Sequence, residues 1–360
     1  MKKSLIAMAV LAASGVVSAQ STVTLYGLAD VYLGSQKVKT SPVGGLSTSL
    51  RQTVVNSGGF NTSRFGFKGS EDLGGGLKAN FLLEAGYDIS TGAANNYTNP
   101  FTNQTSSAIF GRQSWVGLSG GFGEIKLGKM WTPYDEVKGS GAAAFDANIF
   151  APATGVWLSN NYNDRPGNSI YYSTPNFSGF SAAASYSFGE NKTNAVTGPP
   201  AVAAQDAGKI VSVNVQYAGG PIGVALSHQQ EKANGNVVTS KFTQLNGSYD
   251  FRVVKLLAAY GQTKNVASSF GPVADKSKEY QIGLDVPLGA VTVSGGYAHS
   301  KVTLAGGAGE VKSNGVGLAA KYDLSKRTFL YTGLQFAKNE LAGTGEIKTD
   351  TFAVGVQHKF

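Results

Sequence analysis

The chain has 360 residues, no cysteine, 48 glycines, 16 tyrosines, 19 phenylalanines and a formal charge of +8. The lack of cysteine at this length excludes a small disulfide-stapled scaffold, and three scattered histidines in no ligand motif give no basis for a metal centre. A nucleic-acid binder would gather its Lys and Arg into an arm or patch, and no such run occurs.

The chain opens "MKKSLIAMAVLAASGVVSAQ". Lys2 and Lys3 form a positive n-region, Leu5 to Val17 a short apolar core, and Val17-Ser18-Ala19 a small-residue cleavage site. Together they read as a signal peptide over residues 1–19, leaving a chain that begins at Gln20. The apolar part is shorter than the roughly 20 residues a membrane helix needs. Cleavage would remove two lysines and no acid, lowering the charge to +6 (28 basic, 22 acidic).

From there the dominant signal is alternation. "TVTLYGLADVYLG" comes first; later "KIVSVNVQYAG" sets Val211, Val213, Val215 and Tyr217 against Ser212, Asn214 and Gln216. "KEYQIGLDVPLG" and "NGVGLAAKYDLS" repeat the pattern with Tyr280, Ile282, Leu284 and Val286, then Val316, Leu318, Ala320 and Tyr322. Period two with one polar face is the pattern of a strand buried on one side. About sixteen such runs begin near residues 22, 58, 76, 108, 122, 168, 178, 208, 220, 239, 253, 277, 289, 311, 327 and 348.

A soluble secreted sandwich, such as a lectin, would also alternate. Three features favour a transmembrane barrel. The second face is small and polar, as a wet lumen would be. Aromatics (Tyr26, Tyr32, Phe188, Tyr217, Tyr249, Tyr322) stand near strand ends, where interfacial girdles lie. Short connections such as "SEDLGGG" and "SGGFG" alternate with long polar ones over 34–57, 89–107, 190–207 and 264–276. The expectation is an all-β, 16-stranded antiparallel transmembrane β-barrel forming one domain over residues 20–360. Its even strand number brings both termini to the short-turn side.

One connection breaks this rhythm. Residues 131–167, "WTPYDEVKGSGAAAFDANIFAPATGVWLSNNYNDRPG", are too long for a structureless surface loop without a function. They read as a segment folded into the lumen to narrow it.

With this segment, "SRFGFKGSEDLGGGLKANFLLE", "FGRQSWVGLSGGFGEIKLGK", "NSIYYSTPNFSGFSAAASYSF" and the terminal "FAVGVQHKF" make the chain resemble a Gram-negative general porin of the trimeric beta-proteobacterial type, along essentially its whole mature length. The resemblance implies a homotrimer in the cell outer membrane, with a long third loop folded into the lumen of each subunit. It implies passive diffusion of small hydrophilic solutes and ions, no cofactor, and contact with outer-membrane lipids, lipopolysaccharide and the barrel-assembly machinery. In the family, wall arginines face acids on the inward loop. Arg64 and Arg112 match the first two, and Asp135 matches an acid near the start of the loop. Asp146 is assigned to its narrowest point. Where relatives often have "NSIRY" this chain carries Tyr171, and Arg165 is assigned as the substitute.

Alternation supports part of this independently. With Phe65 and Phe67 outward, Arg64, Gly66 and Lys68 face the lumen, and so do Lys78, Asn80 and Glu84, read as plain wall. Trp115 and Gln113 are both expected outward, which leaves the direction of Arg112 unsettled. Small outward residues Gly27, Ala29 and Gly117 suit a subunit interface. More wall cations than loop anions imply a mild anion preference.

Two other functions compete. A substrate-selective channel for a sugar or small organic acid would line its path with Trp131, Phe145, Phe150 or Trp157. A barrel hydrolase would need a positioned base, yet His228, His299 and His358 sit beside no recognisable Ser/His/Asp or paired-carboxylate motif. The last run, "TFAVGVQHKF", is expected to close the sheet against "TLYGLADVYL", with Phe352, Val354, Val356, His358 and Phe360 outward. Phe360 also resembles the terminal signal read by the assembly machinery.

Overall fold

The structure, a computed structural model, describes residues 22–101, 105–141, 149–189, 208–233, 239–267 and 273–360. The signal segment, Phe145, Asp146 and the connection 190–207 lie outside the described residues. Strands β1 (Thr22–Pro42), β2 (Thr48–Ser57), β3 (Arg64–Gly74) and β4 (Leu77–Gly86) come first, then a small hairpin of β5 (Asn96–Thr98) and β6 (Thr105–Ser107). β7 (Gln113–Gly120), β8 (Gly123–Lys129), β9 (Ser169–Ser173), β10 (Phe180–Phe188), β11 (Lys209–Gly219) and β12 (Ile222–Lys232) follow. The chain continues through β13 (Ser240–Asp250), β14 (Lys255–Val266), β15 (Ala274–Leu288), β16 (Val291–Leu304), β17 (Glu310–Asp323), β18 (Thr328–Leu341) and β19 (Gly345–Lys359).

Neighbouring strands pair antiparallel, and β19 returns to β1, with Leu28 opposite Lys359 and Pro42 opposite Gly345. One edge of β1 is shared: its first half pairs with β3 and its second half with β2. β2 and β3 are therefore one interrupted strand, and with the β5·β6 hairpin standing apart sixteen strands close the barrel. Closure is what a sheet in lipid requires, since hydrocarbon offers no partner for an edge N–H or C=O.

The faces are inverted relative to a soluble protein. Val215, Leu226, Ile282 and Leu318 are exposed, while Ser212, Gln229, Asn246 and Gln281 are buried. In water this would be unfavourable, because apolar surface is normally withdrawn first; here the outer face meets lipid and the inner face a polar interior.

Strand starts agree with the sequence reading to within a few residues almost everywhere. Residues 34–57 differ most: they form no loop, because β1 runs on to Pro42 and turns directly into β2. The connection expected over 264–276 is also narrower, since β14 runs to Val266 and β15 starts at Ala274. Only about 10 residues of a tilted strand cross the hydrocarbon, so these continuations stand beyond it. There the outer face turns polar and the period persists without apolar residues to mark it.

Several orientations also differ. Tyr26 points inward, donating to Glu84, and so is no girdle residue. On β7 the exposed apolar side chains are Val116 and Leu118, which puts Trp115, Gln113 and Gly117 inward; Trp115 Nε1 donates to Gln113 Oε1 at 3.3 Å. Gly117 therefore lies beneath Lys126, away from any subunit interface. Arg112 precedes the first residue of β7, so strand parity does not bind it.

The segment between β8 and β9 lies against the inner wall in its described parts. Thr132 caps a one-turn helix, α1 (Pro133–Glu136), where proline at the first position and acids in the first turn suit a helix start. Tyr134 N–H donates to Ser212 at 2.9 Å, and Asn214 donates to the Pro133 carbonyl at 2.7 Å. Further along, Asn163 N–H donates to Glu231, and Gln335 and Asn339 donate to the carbonyls of Thr154 and Gly155. The wall makes room with small residues. A Cβ on Gly317 would sit 2.0 Å from the Phe150 carbonyl oxygen, and one on Gly315 1.9 Å from that of Pro152.

Candidate pore constriction

A cavity of 420 Å³ is lined by Arg64, Arg112, Trp131, Asp135, Lys138, Tyr162, Asp164 and Arg165, with Phe60, Asn61, Thr62 and Asn160 completing its edge. It gathers wall and inward segment in one place, and it contains three of the four basic residues assigned from the sequence together with Asp135. Lys68 lies elsewhere. It borders a second cavity with Lys78, Asn80 and Glu124, nearer the chain termini, and sits 5.3 Å from the centroid of the Tyr26 ring.

Glu84 on β4 organises the wall side. Its Oε1 accepts from Arg112 Nε at 2.8 Å, its Oε2 lies 3.5 Å from Arg64 Nε, and the same oxygen accepts from Tyr26 at 2.9 Å. Arg112 is almost fully buried, and burial together with the nearby Arg165 draws its pKa below the usual arginine value, against the pull of Glu84. A buried guanidinium persists only with a partner and satisfied donors. Glu84 supplies the charge partner and accepts the Nε–H.

Trp131 joins the two remaining arginines. Its ring lies 4.2 Å from the Arg165 guanidinium carbon and 5.6 Å from that of Arg112. The electron-rich face holds two like charges near each other, as cation–π attraction allows. Arg165 also pairs with Asp164 at 3.0 Å, and the backbone of Asp164 accepts from Thr132 N–H at 2.8 Å. Lys129, at the end of β8, donates to the Arg165 carbonyl and stands 4.2 Å from the Tyr97 ring.

Across the cavity, Asp135 accepts from the Tyr162 hydroxyl. Lys138 lies 5.5 Å from the same ring. Tyr171, at the position where relatives often carry arginine, donates to Glu136 at 2.7 Å, and Lys126 stands 4.5 Å from its ring. A cation does occupy that region, but it comes from β8.

The tip of the segment is held by Glu279 on β15. Its carboxylate accepts from Leu158 N–H at 2.6 Å, from Ser159 N–H at 3.0 Å, from the Ser159 hydroxyl and from Ser300 at 3.0 Å. Phe150 and Trp157 are buried against Ala319 and Tyr331, and against Ala259, Ala298 and Ala337 respectively. Neither lines the cavity, so of the described aromatics considered for a solute slide only Trp131 stands on it. The histidines are on the outer face: His228 bonds Thr243, His299 bonds Asn314 and His358 bonds Thr328.

Sequence reasoning missed the roles of Glu84, Trp131, Lys138, Asp164 and Glu279. Glu84 carried a usable signal, an acid on the same inward face as Arg64 in the adjacent strand. The others depend on how the irregular segment folds.

A closed barrel with an apolar exterior, a polar interior and an inward segment bearing opposed charges is the architecture of an outer-membrane diffusion channel. The model of the Gram-negative porin family matches residues 5–342, and the chain belongs to that family. It is 36% identical to outer membrane porin protein 32 of Delftia acidovorans over 371 residues, covering 99% of this chain and 95% of that one. An outer membrane porin of Bordetella pertussis is 33% identical, with both chains covered in full. Among solved structures, an anion-selective porin from Comamonas acidovorans has a TM-score of 0.68 at 29% identity, covering 95% of this chain and all of the other. The protein is thus a channel for passive diffusion in the outer membrane of a Gram-negative bacterium.

Proposed function

We propose that this channel passes small hydrophilic solutes and ions with a mild preference for anions, and that the cavity between β3, β4, β7 and the inward segment is its constriction. The observation that carries the proposal is the charge balance there. Four basic residues (Arg64, Arg112, Lys138, Arg165) face two acids (Asp135, Asp164) around the lining, and counting Glu84 behind it leaves the balance one positive. In a narrow passage with low-dielectric walls, such an excess raises the local concentration of anions and lowers that of cations. Opposed signs on the two sides also order water across the passage and disfavour apolar solutes. The 29% identical anion-selective porin supports the same sign of selectivity.

The test is the reversal potential of single channels in a potassium chloride gradient. A value on the chloride side is expected, and a clear cation preference would refute the proposal. A substrate-selective channel would instead show saturable block by one solute.

The reading includes no catalytic step. It includes cleavage of residues 1–19, which mass measurement of the exported chain would show as a start at Gln20. It also includes assembly into a homotrimer, seen as a heat-sensitive, detergent-resistant band near three subunit masses.

A further inference from the structure

A second chamber opens off the lumen away from the constriction. It holds 380 Å³ and lies between the inner faces of β18, β19, β1 and β2 and the stretch of the inward segment around Ile149, Thr154 and Gly155. It shares no lining residue with the constriction cavity. On β1 it sits at Tyr32 to Gln36, in the half of the strand farther from the chain terminus, so it lies toward the end of the barrel opposite the short turns.

Its wall is built on one rung of the sheet. Gln335 stands directly opposite Thr351, Thr351 opposite Gln36, and Gln36 opposite Gln52, and all four line the chamber. With strands about 4.8 Å apart, the rung sets four uncharged donor–acceptor groups along about 14 Å. On the adjacent rung Gly34 stands opposite Val54. The Tyr32 ring folds over Gly34, where a Cβ would come within 2.9 Å of it. A polar row thus borders an apolar shelf that carries an aromatic ring.

The chamber differs from the constriction in charge and from plain wall in its unmet hydrogen bonding. None of its lining residues carries a carboxylate, an ammonium or a guanidinium group, whereas six charged side chains line the constriction. An ion entering it would give up hydration with no counter-charge in return. Gln335 and Asn339 are buried and donate to the carbonyls of Thr154 and Gly155 at 3.0 and 3.3 Å. Asn339 Oδ1 is left buried with no hydrogen-bond partner among the described residues. A buried acceptor in that condition is costly until a donor reaches it. Gln36 and Gln52 are open to the lumen, and among the described residues their side chains make no hydrogen bond.

We infer that this chamber is a subsite for neutral polyhydroxylated solutes of mono- to disaccharide size, set apart from the ion path. Carboxamides and hydroxyls each present donor and acceptor together, as every hydroxyl of such a solute does. The C–H face of its ring matches the shelf of Tyr32, Gly34 and Val54, and the volume falls within the range of small-molecule sites. The inference rests on the channel reading and goes beyond it: the lumen holds a neutral solute beside the passage, at groups that the permeating ions do not use.

The test uses the full purified protein in a polyoxyethylene detergent, which has no sugar headgroup. Maltose and glucose are the probes, gluconate is the charged counterpart of glucose, and a polyethylene glycol of maltose mass is a neutral solute without a rim of hydroxyls. Binding is read by saturation-transfer NMR, titrated at two salt concentrations. Maltose should bind saturably with the same affinity at both, because no charge is involved, and neither gluconate nor the glycol should displace it. Q36M/Q52M keeps the length of both side chains and removes their amides. It should weaken maltose binding on the order of tenfold, the effect of losing one or two neutral hydrogen bonds, while the reversal potential stays parental. Should that variant not assemble, Thr351→Val, which exchanges one hydroxyl for a methyl group, should weaken maltose binding several-fold. Non-saturable uptake, parental affinity in an assembled Q36M/Q52M or in T351V, displacement by gluconate, or equal retention of the glycol would overturn the inference. Failure of the channel reading itself would appear separately, as a cation-side reversal potential of the parent.

Discussion

Arg112 and Glu84 form a buried 2.8 Å ion pair on the pore wall, with Arg64 3.5 Å from the other carboxylate oxygen. The wall thus holds two guanidiniums around one carboxylate, and in the proposed constriction the surplus charge would act on a permeating ion. Replacing Glu84 by Gln keeps the shape but removes the balancing charge. Anion preference should rise, read as a larger chloride-side reversal potential. Leaving Arg112 buried without its partner should cost about 3–5 kcal/mol, seen as a lower thermal unfolding midpoint. An unchanged reversal potential would separate Glu84 from the ion path.

Arg64 is more open to the cavity than Arg112, so its loss should affect permeation more than folding. Arg64→Ala is expected to lower anion preference with little change in stability. Lys68→Ala, four residues further along the same strand and bordering a different cavity, should change selectivity less. A larger effect at Lys68 than at Arg64 would move the constriction toward the chain termini.

Glu279 offers a test of how the inward segment is held. Glu279→Ala leaves the N–H groups of Leu158 and Ser159 without their acceptor, at about 1–3 kcal/mol for each unsatisfied group. The segment tip should loosen, giving noisier and larger single-channel currents in planar bilayers. Quiet currents of parental size would mean that the packing of Phe150 and Trp157 holds the segment unaided.

The barrel was legible because each strand states its two faces residue by residue. Val211, Val213 and Val215 against Ser212 and Asn214 could be assigned without any structure. That legibility ended where lipid contact ended: residues 34–57 keep strand geometry beyond the hydrocarbon, but their outward Lys37, Lys39 and Arg51 look like loop. Within the site, Arg64 could be oriented from Phe65 and Phe67. Arg112 could not, because it stands just outside its strand. Trp131 and Glu279 were out of reach for another reason. Their partners are 34 and 121 residues away in the chain, Arg165 and Leu158, and no local pattern encodes such contacts.

A pH response is expected from Glu136. Its side chain opens to the lumen while the surrounding wall confines it, and this burial pushes its carboxyl above the ordinary glutamate value of 4.5, against the opposing hydrogen bond from Tyr171 and the charge of Lys126. Because the pKa is raised, the proton binds at higher pH than for a free carboxylate, and binding removes a negative charge from the inward segment. Anion preference should therefore increase as pH falls toward that raised value. Reversal potentials measured across a pH series would show the step, and E136Q should lack it; a step retained in E136Q would assign it to another acid.

The chain end closes the barrel through Phe360. Its N–H donates to the Gly27 carbonyl at 3.0 Å, and its own carbonyl accepts from Gly27 N–H at 3.1 Å. Its ring lies across Gly27 so closely that a Cβ there would come within 2.3 Å of the ring edge. Deleting Phe360 therefore removes both a closing pair of hydrogen bonds and the cover over the first strand, at a position where lipid offers no replacement partner. The constriction lies well inside the barrel wall and does not use this residue. Deletion should accordingly lower the yield of folded, detergent-resistant protein in the outer membrane while the channels that do assemble keep parental conductance. Gly27→Ala, which displaces the ring but leaves the last residue present, separates two causes. If closure geometry matters, it should lower the yield as the deletion does. If Phe360 acts as an assembly signal alone, Gly27→Ala should assemble normally.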